Sequence, residues 1–154
     1  MKQKKLTSRH TSITTLLFEI SPPDLRFLSI DPGSTRSGIF STYPPIGIQI
    51  INDKNAKWLT TITGFLLWNF KYEKVIIEDF WIYQKYKELT KTPITIGKII
   101  QLCEFFNTPY LNKNRIVKKI YQIPKEHISD AANLLGKWLM EQGIIMEIKG
   151  WKEI

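Results

Sequence analysis

The chain has 154 residues, 43% hydrophobic and 23% charged, which suits one domain with one core and excludes a disordered or fibrous chain. Its formal net charge is +8 and its pI is near 9.5. A polyanionic partner would explain that balance, because phosphate contacts supply most non-specific nucleic-acid affinity; so would a lysine-rich proteome, since charge bears on association and not on fold.

The start, Met1 to Lys5, is basic, and Ile13 to Ile20 is mildly apolar. Glu19 interrupts that stretch and no small-residue cleavage site follows, so it does not read as a signal peptide. Ser21-Pro22-Pro23-Asp24 breaks regular structure. Residues 1–24 are therefore read as an appended arm, free to be disordered, with residues 25–154 as the folded domain. No run approaches the roughly 20 apolar residues that a membrane span needs. Cys103 is the only cysteine, which excludes an intrachain disulfide and suits a reducing compartment; it reads as a buried free thiol. A cytoplasmic protein is expected.

Arg26 to Asp31 reads as a buried strand that stops at Pro32-Gly33. Gly38 to Thr42 and Ile46 to Ile51 form a hairpin pair across Tyr43-Pro44-Pro45. Asn52-Asp53-Lys54-Asn55 then reads as a turn and helix cap. From Ala56 to Phe70, Trp58, Ile62, Phe65, Leu66 and Asn69 recur at helical spacing. Lys74 to Phe80 is a second buried strand. Thr92-Pro93 opens another helix, running to about Phe106, with Ile96, Ile99, Ile100 and Cys103 on one side. A short strand is expected near Tyr110, and a last helix from His127 to Gln142, ended by Gly143. This order predicts an α/β fold: a mixed five-stranded sheet flanked by helices.

Acidic residues at the ends of buried strands need an explanation, because an isolated carboxylate is costly to bury unless it is paired, hydrogen-bonded or metal-bound. Asp31 closes the first strand and Glu78 follows Val75-Ile76-Ile77. If these strands are neighbours, both carboxylates emerge at one sheet edge and would attract a divalent cation. His127 and Asp130 lie three apart, on one face of the last helix, which Ala131, Leu134 and Trp138 continue. The helix N-terminus favours an anionic Asp130. Taken singly, Asp31 reads as well as a turn residue, Asp130 as an ordinary first-turn acid and His127 as a capping histidine.

Phe80-Trp81-Ile82-Tyr83-Gln84-Lys85-Tyr86-Lys87 interleaves aromatics with lysines, a composition that holds exposed bases by stacking and phosphate contact. Phe80 and Trp81 read equally as core or interface residues. Lys113, Arg115, Lys118 and Lys119 form a second basic run, either a DNA channel or a solvated loop. Lys125, just ahead of His127, is better placed for phosphate.

DPGSTRSG (31–38) after an apolar strand, VIIEDF (75–80) and HISDAANLLGKWL (127–139) together resemble the RuvC-type Holliday junction resolvases, most of all the compact versions carried by bacteriophages and other viruses. The resemblance spans residues 26–142 in order and spacing. It implies an RNase H-like fold, a homodimer, a four-way DNA junction as substrate and Mg²⁺-dependent hydrolysis giving paired symmetric nicks, in a cytoplasm that is a virus-infected host's on the viral reading. By that match Asp31, Glu78 and Asp130 are metal-binding carboxylates, and His127 falls where relatives carry histidine or aspartate. Ser37 departs from the usual threonine. The expected mechanism uses two Mg²⁺ ions roughly 4 Å apart. Imidazole is an awkward Mg²⁺ ligand, so His127 either positions or deprotonates water or ligates Mn²⁺, which would substitute. Phe80 or Trp81 takes the place of an aromatic that wedges into the junction. A broader nuclease of forks, flaps or RNA, and a non-catalytic nucleic-acid-binding module, are the alternatives.

Overall fold

A computed structural model describes residues 10–79, 91–114 and 118–154. Among these, seven strands form one sheet: β1 (Ser12–Ser21), β2 (Phe27–Asp31), β3 (Arg36–Thr42), β4 (Pro45–Ile51), β5 (Lys74–Glu78), β6 (Tyr110–Lys113) and β7 (Glu147–Glu153). The helices are α1 (Lys57–Asn69), α2 (Lys91–Phe105) and α3 (Glu126–Glu141). The strand order is β6-β5-β2-β3-β4-β1-β7. β2, β5 and β6 run parallel and the remaining pairs antiparallel.

The mixed α/β architecture agrees with the sequence, but the sheet has two more strands than the five expected. Both additions lie beyond β4. The segment read as an arm is in part β1, which pairs with β4 on one side and β7 on the other. Its signal is faint because burial alternates weakly: Leu16 and Phe18 are buried while Ile13 and Glu19 are exposed. β7 carries no apolar alternation at all.

Period-two alternation divides the core between the sheet faces. Leu28, Ile30, Ile39 and Ile77 pack with Leu59, Leu66, Ile99 and Cys103 under α1 and α2. Phe27, Phe40 and Ile76 pack with Ile128, Leu134 and Leu135 under α3. The α2 face is the one the sequence indicated. The α1 face is so only in part: Ile62 and Leu66 pack inward as expected, joined by Leu59, Thr63 and Leu67, while Trp58, Phe65 and Trp68 are exposed. Apolar residues surround this helix, so periodicity alone did not choose its buried side. Asp53 caps α1 as expected, its buried carboxylate accepting the Trp58 and Leu59 N–H groups at 2.9 and 3.0 Å. Burial pushes the Cys103 thiol up to about 12, with Glu104 adding to it, so it is an inert core group. Among the described residues, no helix is long and apolar enough to cross a membrane.

Helix α3 is seated on the sheet at its first two turns. Gly38 on β3 and Gly47 on β4 are the points of close approach: a Cβ on Gly38 would run into the His127 carbonyl, and one on Gly47 into Ile128 and Phe18. Ser29 Oγ on β2 donates to the Ala131 carbonyl at 2.6 Å. Gln49 Oε1 on β4 accepts the His127 N–H at 2.8 Å, satisfying one of the donors that a helix start leaves without an intrahelical partner. Gly38→Ala is expected to lift the first turn of α3 and to cost about 1–3 kcal/mol, the usual range for overpacking; a urea midpoint matching wild type would contradict this packing.

Candidate metal centre

Strand register brings the acidic residues to one edge. Asp31 pairs with Gly38 across β2 and β3, and paired residues share a face, so Asp31 lies on the α3 side. The parallel β2–β5 register ends at Ile30 opposite Ile77. One residue further, Asp31 and Glu78 therefore finish adjoining strands at the same level and on the same face. Glu78 in turn pairs with Lys113 on β6.

The first turn of α3 delivers His127 and Asp130 onto this edge. Ligand atoms of Asp31, His127 and Asp130 all lie within 4.8 Å of one another. His127 Nδ1 stands 3.2 Å from Asp31 Oδ2, with side-chain exposures of 18% and 15%. The three groups are thus shielded enough to interact strongly, yet still open to solvent. Glu78 ends the neighbouring strand but is not one of this converging group.

Two carboxylates this close repel each other, and two basic side chains stand against them. The hydrogen bond to Asp31 is the largest influence on His127; it holds the imidazole pKa above its ordinary value, against the opposing effect of burial, and the charges of Asp31, Glu126 and Asp130 add to it. Lys119 Nζ lies 3.6 Å from Asp130 Oδ1. A divalent ion would serve the same purpose with more charge. The donor set fits one: carboxylate oxygens suit Mg²⁺ or Mn²⁺, and the imidazole favours Mn²⁺.

The basic residues named from sequence are dispersed. Lys113 is tied to Glu141 at 2.7 Å. Lys118 is exposed, and Lys119 is exposed with its head on Asp130. Lys125, immediately before α3, reaches Glu153 on β7 at 3.9 Å. Phe80, Trp81, Lys85, Lys87 and Arg115 lie outside the described residues. Sequence reasoning missed Gln49, which anchors the helix start. Its signal was present: one polar residue in the apolar run Ile46-Gly47-Ile48-Gln49-Ile50-Ile51.

No family model matches the chain, and no curated protein matches it in sequence. Solved structures do match. Thermus thermophilus RuvC superposes with a TM-score of 0.58 at 12% identity, over 80% of this chain and 99% of that one. T. thermophilus RuvC in complex with a Holliday junction substrate gives a TM-score of 0.56 at 13% identity, over 77% and 97%. The fold is therefore the RNase H-like fold of RuvC, with part of this chain added to it.

The raised pKa of His127 predicts a pH signature in the metal-free protein. A group whose folded value is raised contributes its full stability below the unfolded value of about 6.5 and loses it as pH rises through the folded value. With chelator present, the urea midpoint should fall as pH rises above about 6.5, and His127→Gln should flatten that fall. An equal slope in both proteins would remove the Asp31–His127 pair as its cause.

Proposed function

We propose that the chain is a divalent-metal-dependent endonuclease that resolves four-way DNA junctions by paired symmetric nicks, in the manner of a compact, phage-type RuvC. The observation that carries this reading is the convergence of Asp31, His127 and Asp130 at one sheet edge of a RuvC-type fold. The Thermus protein of that fold has a structure with a Holliday junction substrate. A net charge of +8 around an acidic site fits the same task, since the site attracts metal while the surface attracts phosphate.

Asp31, Asp130 and His127 would hold the ion, with Glu78 completing the acidic edge from the adjoining strand. A bound Mg²⁺ or Mn²⁺ supplies positive charge to the scissile phosphate and acidifies water. The chain positions the rest. Gly38 and Gln49 hold the first turn of α3 so that His127 and Asp130 meet Asp31. Asp31 orients the imidazole, and where His127 is not itself a ligand it takes a proton from the attacking water or aligns that water. Lys119, beside Asp130, and Lys125, just ahead of α3, contact flanking phosphates.

A junction has two strands to nick, and a second copy of the chain supplies the second site. The face of α1 and α2 supports that pairing. Phe65, Trp68, Ile94 and Phe105 are 58–77% exposed there, beside a groove of about 400 Å³ between the helices. Apolar surface of this kind marks an interface.

On a labelled four-way junction with Mg²⁺, wild type should make two symmetric nicks and leave linear duplex intact. Asp31→Asn and Asp130→Asn should reduce the rate by more than the roughly 10–100-fold that losing an outer-shell partner costs, and EDTA should abolish cutting. Equal cutting of flaps or an RNA–DNA hybrid would replace the junction reading with a broader nuclease. Tight junction binding with no cutting in Mg²⁺ or Mn²⁺ would leave a binding module. Light scattering should give twice the chain mass for wild type and a single-chain mass for Trp68→Lys combined with Phe105→Glu. A monomeric wild type would refute the dimer.

A further inference from the structure

A second groove, of about 410 Å³, opens beside the metal centre, between α3, residues 119–124 and β7. Ser129, next to Asp130 in the chain, lines it from α3. Tyr121, Ile123 and Pro124 give it an apolar wall, and Trp151 of β7 closes the far side. Trp151 is 46% exposed, so part of its ring stays open to solvent.

A local irregularity puts Trp151 there. Ile148 pairs with Ile20, and both pack on the α3 face. Strict alternation would send residue 151, three positions on, to the opposite face. The β1–β7 register instead shifts by one between Glu19 and Ile20, so that Trp151 pairs with Phe18, a core residue of the α3 face. A bulge that re-aims one side chain is a common device beside functional sites. The re-aimed side chain here is an amphipathic aromatic left about half in solvent.

The groove is linked to the metal centre by Lys119, which lines it and also sits 3.6 Å from Asp130. Lys125 borders the same end of α3 and reaches Glu153, two residues beyond Trp151. An aromatic platform flanked by lysines at the mouth of a phosphodiester site has one complementary ligand: a nucleotide whose base is unstacked and whose phosphate carries negative charge. We infer that this groove holds an unpaired nucleotide next to the scissile phosphate, its base stacked on Trp151 and its phosphate at Lys119. The assignment rests on the nucleic-acid reading above and deepens it, and it draws on β7, one of the two strands beyond the five expected from the sequence.

The test is equilibrium binding of the full chain, by fluorescence anisotropy in Mg²⁺, to labelled oligothymidine and to a fully paired duplex. The Asp31→Asn background keeps the DNA intact. Trp151→Ala should weaken oligothymidine binding about tenfold, the usual scale for one stacked base, and change duplex binding far less. Trp151→Phe keeps an aromatic face and should retain most of the affinity. Equal oligothymidine affinity for Trp151→Ala and its parent would overturn the groove and leave the metal centre untouched. Equal loss in the Ala and Phe variants would overturn stacking. Failure of the parent protein to bind either DNA would overturn the groove and the nucleic-acid reading together.

Discussion

The candidate site depends on one close approach. Backbone of α3 touches backbone of β3 at Gly38, where no side chain fits. Everything functional in the last helix follows from that contact. It sets how far His127 projects over the sheet, and the β2–β3 register then decides that Asp31, opposite Gly38, is the group His127 meets. The glycine thus works through the absence of a side chain. It stands within DPGSTRSG, seven residues after Asp31, and the tight return of the chain places both residues side by side. Gln49 and Ser29 lock the helix from the neighbouring strands, so three strands define the position of one helical turn.

Much of this was legible in the sequence, for physical reasons that can be named. β2 and β5 are buried on both faces and read as continuous apolar runs, which makes an acid at the end of either conspicuous. Helix α3 has a clean apolar face, so the inward direction of His127 and Asp130 could be read from spacing. Asp53 was recognisable as a cap because its short acceptor precedes a helical pattern. The failures have reasons too. β1 is covered on one face only over Leu16 and Phe18, and Glu19 breaks its apolar run, so it resembled a tail. β7 is an edge strand with little burial and no period. Helix α1 is apolar nearly all round, and a hydrophobic period cannot orient such a helix. No sequence pattern could show that Lys113 answers Glu141 while Lys119 answers Asp130, because both pairings are tertiary.

The electrostatic plan is a small acidic centre inside a basic chain. Two carboxylates converge with the His127 imidazole in a partly shielded site, and the Lys119 ammonium stands 3.6 Å from one of them. The Lys119 pair, its ammonium half exposed, contributes little stability by itself. Its value lies in holding Asp130 in place. The same Lys119 that screens Asp130 lines the groove of Trp151, so the charge balance of the centre and the shape of its surroundings are linked through one side chain.

The pairing of β1 with β7 has a consequence for biosynthesis. Leu16 lies opposite Glu153, so five strands and all three helices come between the two strands in sequence. β1 can dock on β4 as soon as residue 51 has left the ribosome, but its other edge stays open until β7 is made. An uncovered strand edge is a template for pairing with other chains. Glu19, exposed near the end of β1 where β7 later docks, places a charge on that edge during the interval. The residue that disguised the strand in the sequence is thus the kind of gatekeeper that guards nascent chains against aggregation.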